Sequence, residues 1–120
     1  MSLRAYQQIA QRAESARDTE YRLFAEVTRD MLALKSRPRE DVGGWMRVLH
    51  RNRRMWAALA DDCSHPNNAL PSTTRASIIS LSLFVHRHTS EVMRQEADLD
   101  TLIDLNRTIM QGLSPSSAGL

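Results

Sequence analysis

Apolar residues recur every three or four positions along most of the chain, the spacing that places side chains on one face of an α-helix. Five segments show this period: residues 3–14, about 17–35, about 45–62, about 72–95 and about 98–112. None of them shows the strict alternation of apolar and polar residues that is typical of a half-buried strand. The pattern therefore predicts an all-α fold, a compact bundle of about five helices.

Residues that favour helix ends separate the predicted helices. Ser15, followed three positions later by Asp18, resembles a capping box and predicts a boundary between the first two helices. Pro38 and the pair Gly43–Gly44 predict a linker before the third helix. Pro71 suits the first turn of the fourth helix.

A chain of 120 residues is long enough for one domain with a single core. We therefore expect one all-helical domain over residues 1–113 and a disordered tail at 114–120. Cys63 is the single cysteine, which excludes an internal disulfide and favours a reducing compartment. No apolar run approaches the ~20 residues that span a bilayer. The expected location is the cytoplasm, with no membrane partner.

The most basic stretch, HRNRRMWAALADD at residues 50–62, lies on the third predicted helix. The formal net charge is only +2, so any nucleic-acid contact would have to be local. At about 100° per residue, Arg47, Arg51 and Arg54 fall on the side opposite Trp56. The simplest interpretation is a solvated helix face. The alternative is an anionic contact through these arginines, with RNA phosphates or with an acidic partner surface.

No motif in the sequence indicates catalysis, a phosphate-binding loop or a metal site. Cys63 and His65 lack a second pair of ligands at the spacing of a zinc site. His86 and His88 would face opposite sides of a helix, and His88 is expected to be a hydrogen-bonded core residue. We predict that the protein is not an enzyme and uses no cofactor and no metal.

Two asparagines, Asn52 and Asn106, occupy core-facing positions among apolar residues. A buried amide costs free energy unless it is hydrogen-bonded, so each should have a definite partner, such as a helix end or loop backbone. We interpret them as structural pins that fix how the helices cross. The alternative is recognition of a partner's backbone.

Two predicted helices carry apolar residues away from their main stripe. A helix that is apolar on two faces is either central in a bundle or covered by another protein. The second possibility would provide a groove for a partner's amphipathic helix. The candidate partner-binding residues are Ile79 and Leu83 on the fourth helix and Leu23, Val27 and Leu34 on the second.

Several segments together resemble the FlaF family of flagellar biosynthesis regulators. They are AYQQIAQRAESARDTEYRLFAEVTRDML, NRRMWAALADD, NNALPSTTRASIISLSLFVHRHTSEV and LIDLNRTIMQGL, which cover nearly the whole chain. The positions that match the family pattern are Asn52, Trp56, Asp62, Asn68, Leu70, Pro71, Arg75, Asn106 and Gly112. One departure is Met55, where the family commonly has Leu, and this is a volume-conserving apolar change.

The resemblance implies a cytoplasmic, non-enzymatic helical protein that promotes or tunes the synthesis and secretion of flagellin. Together with the apolar faces, it favours binding of flagellin's amphipathic terminal helices, in the manner of an export chaperone. A companion regulator that acts on flagellin messenger RNA is a further partner that the resemblance implies. The alternative function is post-transcriptional regulation by direct contact of flagellin messenger RNA with Arg47, Arg51 and Arg54, although direct nucleic-acid contact is not the favoured expectation.

Overall fold

Four α-helices make up most of the described chain: α1 (Leu3–Leu34), α2 (Val42–Ser64), α3 (Ser72–Met93) and α4 (Leu99–Leu113). The structure is a computed structural model that describes residues 2–113, apart from the side chains of residues 9, 10, 12–17 and 113. No strand occurs within residues 2–113, and the predicted all-α bundle is confirmed. The tail predicted at residues 114–120 lies outside the described residues.

The first two predicted helices form one continuous helix. The backbone of α1 runs through Ser15 and Asp18 without interruption, so the boundary predicted there is wrong. The helix begins after Ser2, whose hydroxyl accepts a hydrogen bond from the Ala5 amide at 3.1 Å. Because neither proline nor glycine separates the two apolar stripes, nothing in the sequence interrupts the backbone hydrogen bonds.

The helices pack so that α1 is covered on two sides and α3 mainly on one. α1 is antiparallel to both of its neighbours, since Arg51 of α2 pairs with Glu26 and Asp30, and Lys35 pairs with Asp100 at the start of α4. α3 packs mainly against α2, meets α4 over a small area and makes no packing contact with α1 within the described residues. α3 is therefore an outer helix of the bundle.

The core is centred on Trp56, which is fully buried. Its ring meets that of Phe24 edge-on, with centroids 5.8 Å apart and planes at 81°. Both tryptophans are buried, as helical spacing predicts. By contrast, Leu3 and Tyr6 near the start of α1 are 73% and 65% exposed, so this end of the helix lies outside the core. Other core residues are Val27, Met31, Leu34, Leu49, Met55, Val85, Val92, Leu102 and Ile103.

α2 begins three residues earlier than predicted, at Val42 instead of Trp45. The two glycines predicted as linker lie in its first turn, where the Asp41 carboxylate accepts a hydrogen bond from the Gly44 amide at 3.2 Å. A Cβ at Gly44 would collide with the Asp41 carboxylate and with the Arg37 guanidinium that pairs with it. A Cβ at Gly43 would meet nothing within 4 Å. A side chain at position 44 would therefore displace the Asp41 and Arg37 side chains, which favours glycine there.

The end of α3 is tied to the linker between α1 and α2. Gln95 follows the helix with a φ of 61°, and its amide donates to the Val92 carbonyl. The Nη2 of Arg39 donates to the carbonyls of Val92 and Met93 at 3.0 and 3.2 Å. The same guanidinium lies over the ring of Trp45, 4.2 Å from its centroid. One arginine therefore caps α3 and packs on α2.

The first turn of α2 offers a matched pair of substitutions. Gly43→Ala should raise the free energy of unfolding by about 0.5–1 kcal/mol, because alanine loses less backbone entropy in a helix. Gly44→Ala should lower it by about 1 kcal/mol, because its Cβ displaces the Asp41 cap. Urea unfolding followed by circular dichroism measures both changes. Equal effects of the two substitutions would contradict the cap described here.

Candidate partner-binding site

A chain of hydrogen bonds between buried side chains joins α1, α2 and α4. The indole Nε1 of Trp56 donates to Oδ1 of Asn106 at 2.8 Å. Nδ2 of Asn106 donates to Oδ1 of Asn52 at 2.8 Å and to Oγ1 of Thr28 at 3.1 Å. The Thr28 hydroxyl donates to the Phe24 carbonyl one turn earlier. Because the polar side chains of this network are buried, these bonds replace those that water cannot supply.

The two asparagines are buried structural residues with definite partners, as predicted, but the partners differ from the expected ones. We expected a helix end or loop backbone, and the structure instead pairs side chains from different helices. Asn106 uses both ends of its amide, whereas the Nδ2 of Asn52 is buried without a hydrogen-bond partner among the described residues. Both residues are 0% exposed, so neither can recognise the backbone of a partner.

Side chains from the following loop and helix close the C-terminal end of α2. The Nε of Arg75 donates to the Cys63 carbonyl at 2.7 Å, and its Nη2 donates to the His65 carbonyl at 3.0 Å. Nδ2 of Asn68 donates to the Asp62 carbonyl at 3.0 Å. The last carbonyls of a helix lack partners within it, and a cation near them also interacts favourably with the helix dipole. These side chains therefore fix the turn that sets α3 against α2.

The outer face of α3 exposes apolar side chains that no helix of the described chain covers; we call it the α3 face. Leu83 is 63% exposed and Phe84 is 37% exposed, and Ile79 is half-buried. Ser80 lies one turn before Leu83 and Phe84, and its short side chain leaves room for another backbone. An open depression of about 510 Å³ along α3 is lined by Ala76, Ser77, Ser80 and Leu81.

Phe84 is held in place by His88, one turn later on α3. The two rings are stacked, with centroids 5.2 Å apart and planes at 20°. The Nε2 of His88 lies 2.8 Å from the Asp98 carbonyl, which confirms that this histidine is hydrogen-bonded. Phe84 is not among the predicted residues because it falls between the two apolar stripes of this helix. The signal available was an aromatic residue directly beside Leu83 on an otherwise serine-rich surface.

Two of the predicted partner-binding residues are not on any surface. Val27 and Leu34 are 0% and 2% exposed, so the prediction is wrong for them. Because α1 packs against both α2 and α4, residues from both of its apolar stripes enter the core. Leu23 is 39% exposed and remains available. The central-helix interpretation thus holds for α1, while Ile79 and Leu83 lie on an outer helix.

The arginine-rich side of α2 faces solvent, as helical spacing predicts. Arg51 is held by two carboxylates of α1, with Nη2 3.2 Å from Glu26 and Nη1 3.0 Å from Asp30. Arg51 therefore links α2 to α1, and it also lies on the exposed face of α2. The other exposed members of this face are Arg47, His50 and Arg54.

The described residues hold no group of three or more His, Cys, Asp and Glu side chains placed to bind a metal. Burial raises the pKa of the Cys63 thiol, which favours its neutral form. Within the described part of the chain, no helix combines the length and the apolar character needed to cross a membrane.

A sequence model of the family described as flagellar protein FlaF matches residues 2–113. The chain belongs to the FlaF family. Comparisons with curated proteins and with solved structures give no match. The FlaF match extends over all four helices that the structure describes.

The residues by which the chain resembles FlaF proteins build the fold and lie apart from the α3 face. One group, Asn52, Trp56 and Asn106, forms the buried network. A second group surrounds the turn from α2 to α3, namely Asp62, Asn68, Leu70, Pro71 and Arg75. Gly112 lies within α4, and nothing in the structure explains a glycine there.

Asn106 should matter more for stability than Asn52. Asn106→Leu should lower the free energy of unfolding by about 3 kcal/mol, because it leaves buried groups of Trp56 and Asn52 without partners. Asn52→Leu should lower the free energy of unfolding by about 1 kcal/mol, because the substitution removes one hydrogen bond. The Nδ2 group that it also removes is already unpaired in the wild-type protein. Chemical unfolding monitored by tryptophan fluorescence tests both, and a larger loss for Asn52→Leu would contradict this ranking.

Arg75 should stabilise the protein through its hydrogen bonds to the end of α2. Arg75→Met keeps the aliphatic stem but removes the donors, and should lower the free energy of unfolding by about 1–2 kcal/mol. The matched variant Arg87→Met changes an exposed arginine of the same helix and should alter it by less than about 0.5 kcal/mol. Thermal unfolding separates the two, and wild-type stability of Arg75→Met would argue against the cap.

Proposed function

We propose that the α3 face binds an amphipathic terminal helix of flagellin, and that the protein thereby promotes or tunes flagellin synthesis and secretion in the manner of an export chaperone. Membership of the FlaF family supports a flagellar role. The observation that carries the choice of surface is the 63% exposure of Leu83 on an outer helix. An exposed apolar side chain on the uncovered side of a helix is a typical anchor point for a partner helix.

To bind a flagellin helix, the protein needs a surface that covers the apolar stripe of that helix without refolding of its own. Ile79 and Leu83 are four residues apart and lie on one side of α3, which suits the i, i+4 anchors of a bound helix. Burial of apolar surface there is favourable by about 25 cal/mol per Å². Since α3 is already packed against α2, capped by Arg39 at its C-terminal end and tied by Arg75 to the end of α2, little ordering of the protein would oppose binding.

The proposed cellular role follows from what such binding would do to flagellin. Flagellin's terminal helices stay unpaired until the filament assembles, and a covered helix could not associate prematurely. We expect this to occur in the cytoplasm, before export, and the amount of free protein would then reflect flagellin supply. A companion regulator of flagellin messenger RNA would pass that information to translation. The role requires no catalysis, metal or cofactor.

Direct contact of flagellin messenger RNA with the arginines of α2 has less support. Arg51 is already engaged by Glu26 and Asp30, at 3.2 and 3.0 Å. With Arg51 engaged in this way, Arg47 and Arg54 alone would remain to contact the phosphates of an RNA strand. The arginine-rich side of α2 therefore offers a weaker binding site for RNA phosphates than the sequence alone indicates.

The α3 face can be tested with Leu83→Glu, and with the double variant Ile79→Glu/Leu83→Glu. Flagellin monomer should co-elute with the wild-type protein on size exclusion and fail to do so with either variant. The expected loss of affinity is at least about tenfold, because a charge replaces an apolar anchor. Val42→Glu is the matched control, since Val42 is 56% exposed at the start of α2.

Thermal unfolding of each variant decides how a loss of binding is interpreted. Because Leu83 is largely exposed, Leu83→Glu should retain the wild-type melting temperature. Full flagellin binding by a folded Leu83→Glu protein would contradict the proposal. Loss of binding by Val42→Glu as well would show that the α3 face is not what determines it.

A further inference from the structure

We propose that a second surface, between α1 and α2, binds an amphipathic helix that carries acidic residues beside its apolar stripe. We call this surface the basic groove. It is open, has a volume of about 540 Å³, and is lined by Leu23, Arg47, His50, Arg51, Arg54 and Met55. It shares no residue with the α3 face, so the inference goes beyond the flagellin proposal and does not depend on it.

The basic groove combines an apolar floor with a cationic rim. Leu23 of α1 is 39% exposed, and Met55 of α2 lies just beneath the surface at 7%. Methionine is an adaptable apolar contact at binding surfaces because its side chain is unbranched and flexible. Such a floor suits the leucine or methionine side chains of a partner helix.

Arg51 defines the groove and is not free to bind a partner strongly. Its guanidinium bridges Glu26 and Asp30, which lie one turn apart on α1. The two ion pairs hold α1 and α2 side by side at this level and therefore fix the width of the groove. Charge for a ligand has to come from the arginines on either side of Arg51.

Those arginines are Arg47 and Arg54, and both are exposed. Neither has an ion-pair partner among the described residues. They are seven residues apart, a separation of about 10 Å along a helix at 1.5 Å per residue. Two carboxylates seven residues apart on a facing helix would match this spacing. The groove thus selects for an acidic amphipathic helix with an i, i+7 pair of Glu or Asp.

A single-stranded nucleic acid fits the same groove less well. Among the residues that line the groove, only His50 has an aromatic ring, so successive bases would have few stacking partners there. Two unpaired arginines would also supply few contacts to the successive phosphates of a nucleic-acid strand. The apolar floor and the cationic rim together favour the binding of a protein helix.

The test uses two synthetic helical peptides and the isotope-labelled protein. Both peptides carry leucines at i, i+3, i+4 and i+7; one has glutamates seven residues apart on the flank, and the other has lysines in their place. The glutamate peptide should bind at least about tenfold more tightly than the lysine peptide, and its affinity should fall as salt is raised. NMR shift changes should include Leu23, Arg47 and Arg54.

The double variant Arg47→Gln/Arg54→Gln should bind the glutamate peptide at least about tenfold more weakly, while Arg87→Gln/Arg107→Gln makes the same change in net charge and should bind as the wild type. Circular dichroism checks that both variants are folded. If the groove variant fails to fold, the comparison of the two peptides on the wild-type protein decides.

Equal binding of the two peptides, no binding of either, or shift changes confined to the α3 face would overturn the inference. Binding of a single-stranded RNA oligonucleotide in preference to the glutamate peptide would overturn it too. The test of flagellin binding is separate from this one, because Leu83→Glu alters the α3 face and leaves the basic groove intact.

Discussion

The hydrogen bond from the Trp56 indole to Asn106 is the constraint on which the rest of the structure depends. It places the largest core side chain of α2 against α4, at a distance of 2.8 Å. Asn106 then reaches Asn52 on α2 and Thr28 on α1, so one amide fixes three helices relative to each other. Hydrophobic burial alone tolerates small shifts between helices, whereas a buried amide tolerates few arrangements that satisfy it. The network therefore selects one packing of the bundle.

This arrangement separates the residues that build the protein from those available to partners. α1 supplies Thr28 to the network and packs against two helices, α2 and α4. α3 contributes no side chain to the network and rests on α2, with Arg75 and Arg39 holding its two ends. Its outer face stays uncovered as a result. The resemblance to the FlaF family resides largely in the interior and in the capped turn, which explains why those residues do not themselves mark a binding surface.

Helical spacing was sufficient to predict the all-α class, the burial of Trp56 and the exposure of the arginines on α2, because these follow from 100° per residue alone. It could not predict which helix would be covered on two sides, so Val27 and Leu34 were assigned to a surface. That distinction depends on tertiary neighbours that a single stripe does not reveal. The cap by Arg75 is equally tertiary, since its acceptors lie 10 and 12 residues earlier in the chain. The break expected at Ser15 was a local signal overridden by a continuous helix.

Hydrogen exchange followed by NMR, on the protein alone and with flagellin monomer, tests whether a rigid interior network presents the α3 face to a partner helix. We expect the Trp56 indole proton to exchange as slowly as global unfolding allows in both samples, and we expect flagellin to slow exchange at residues 79–84. Rapid exchange of the indole proton in the free protein, or added protection that avoids residues 79–84, would contradict this expectation.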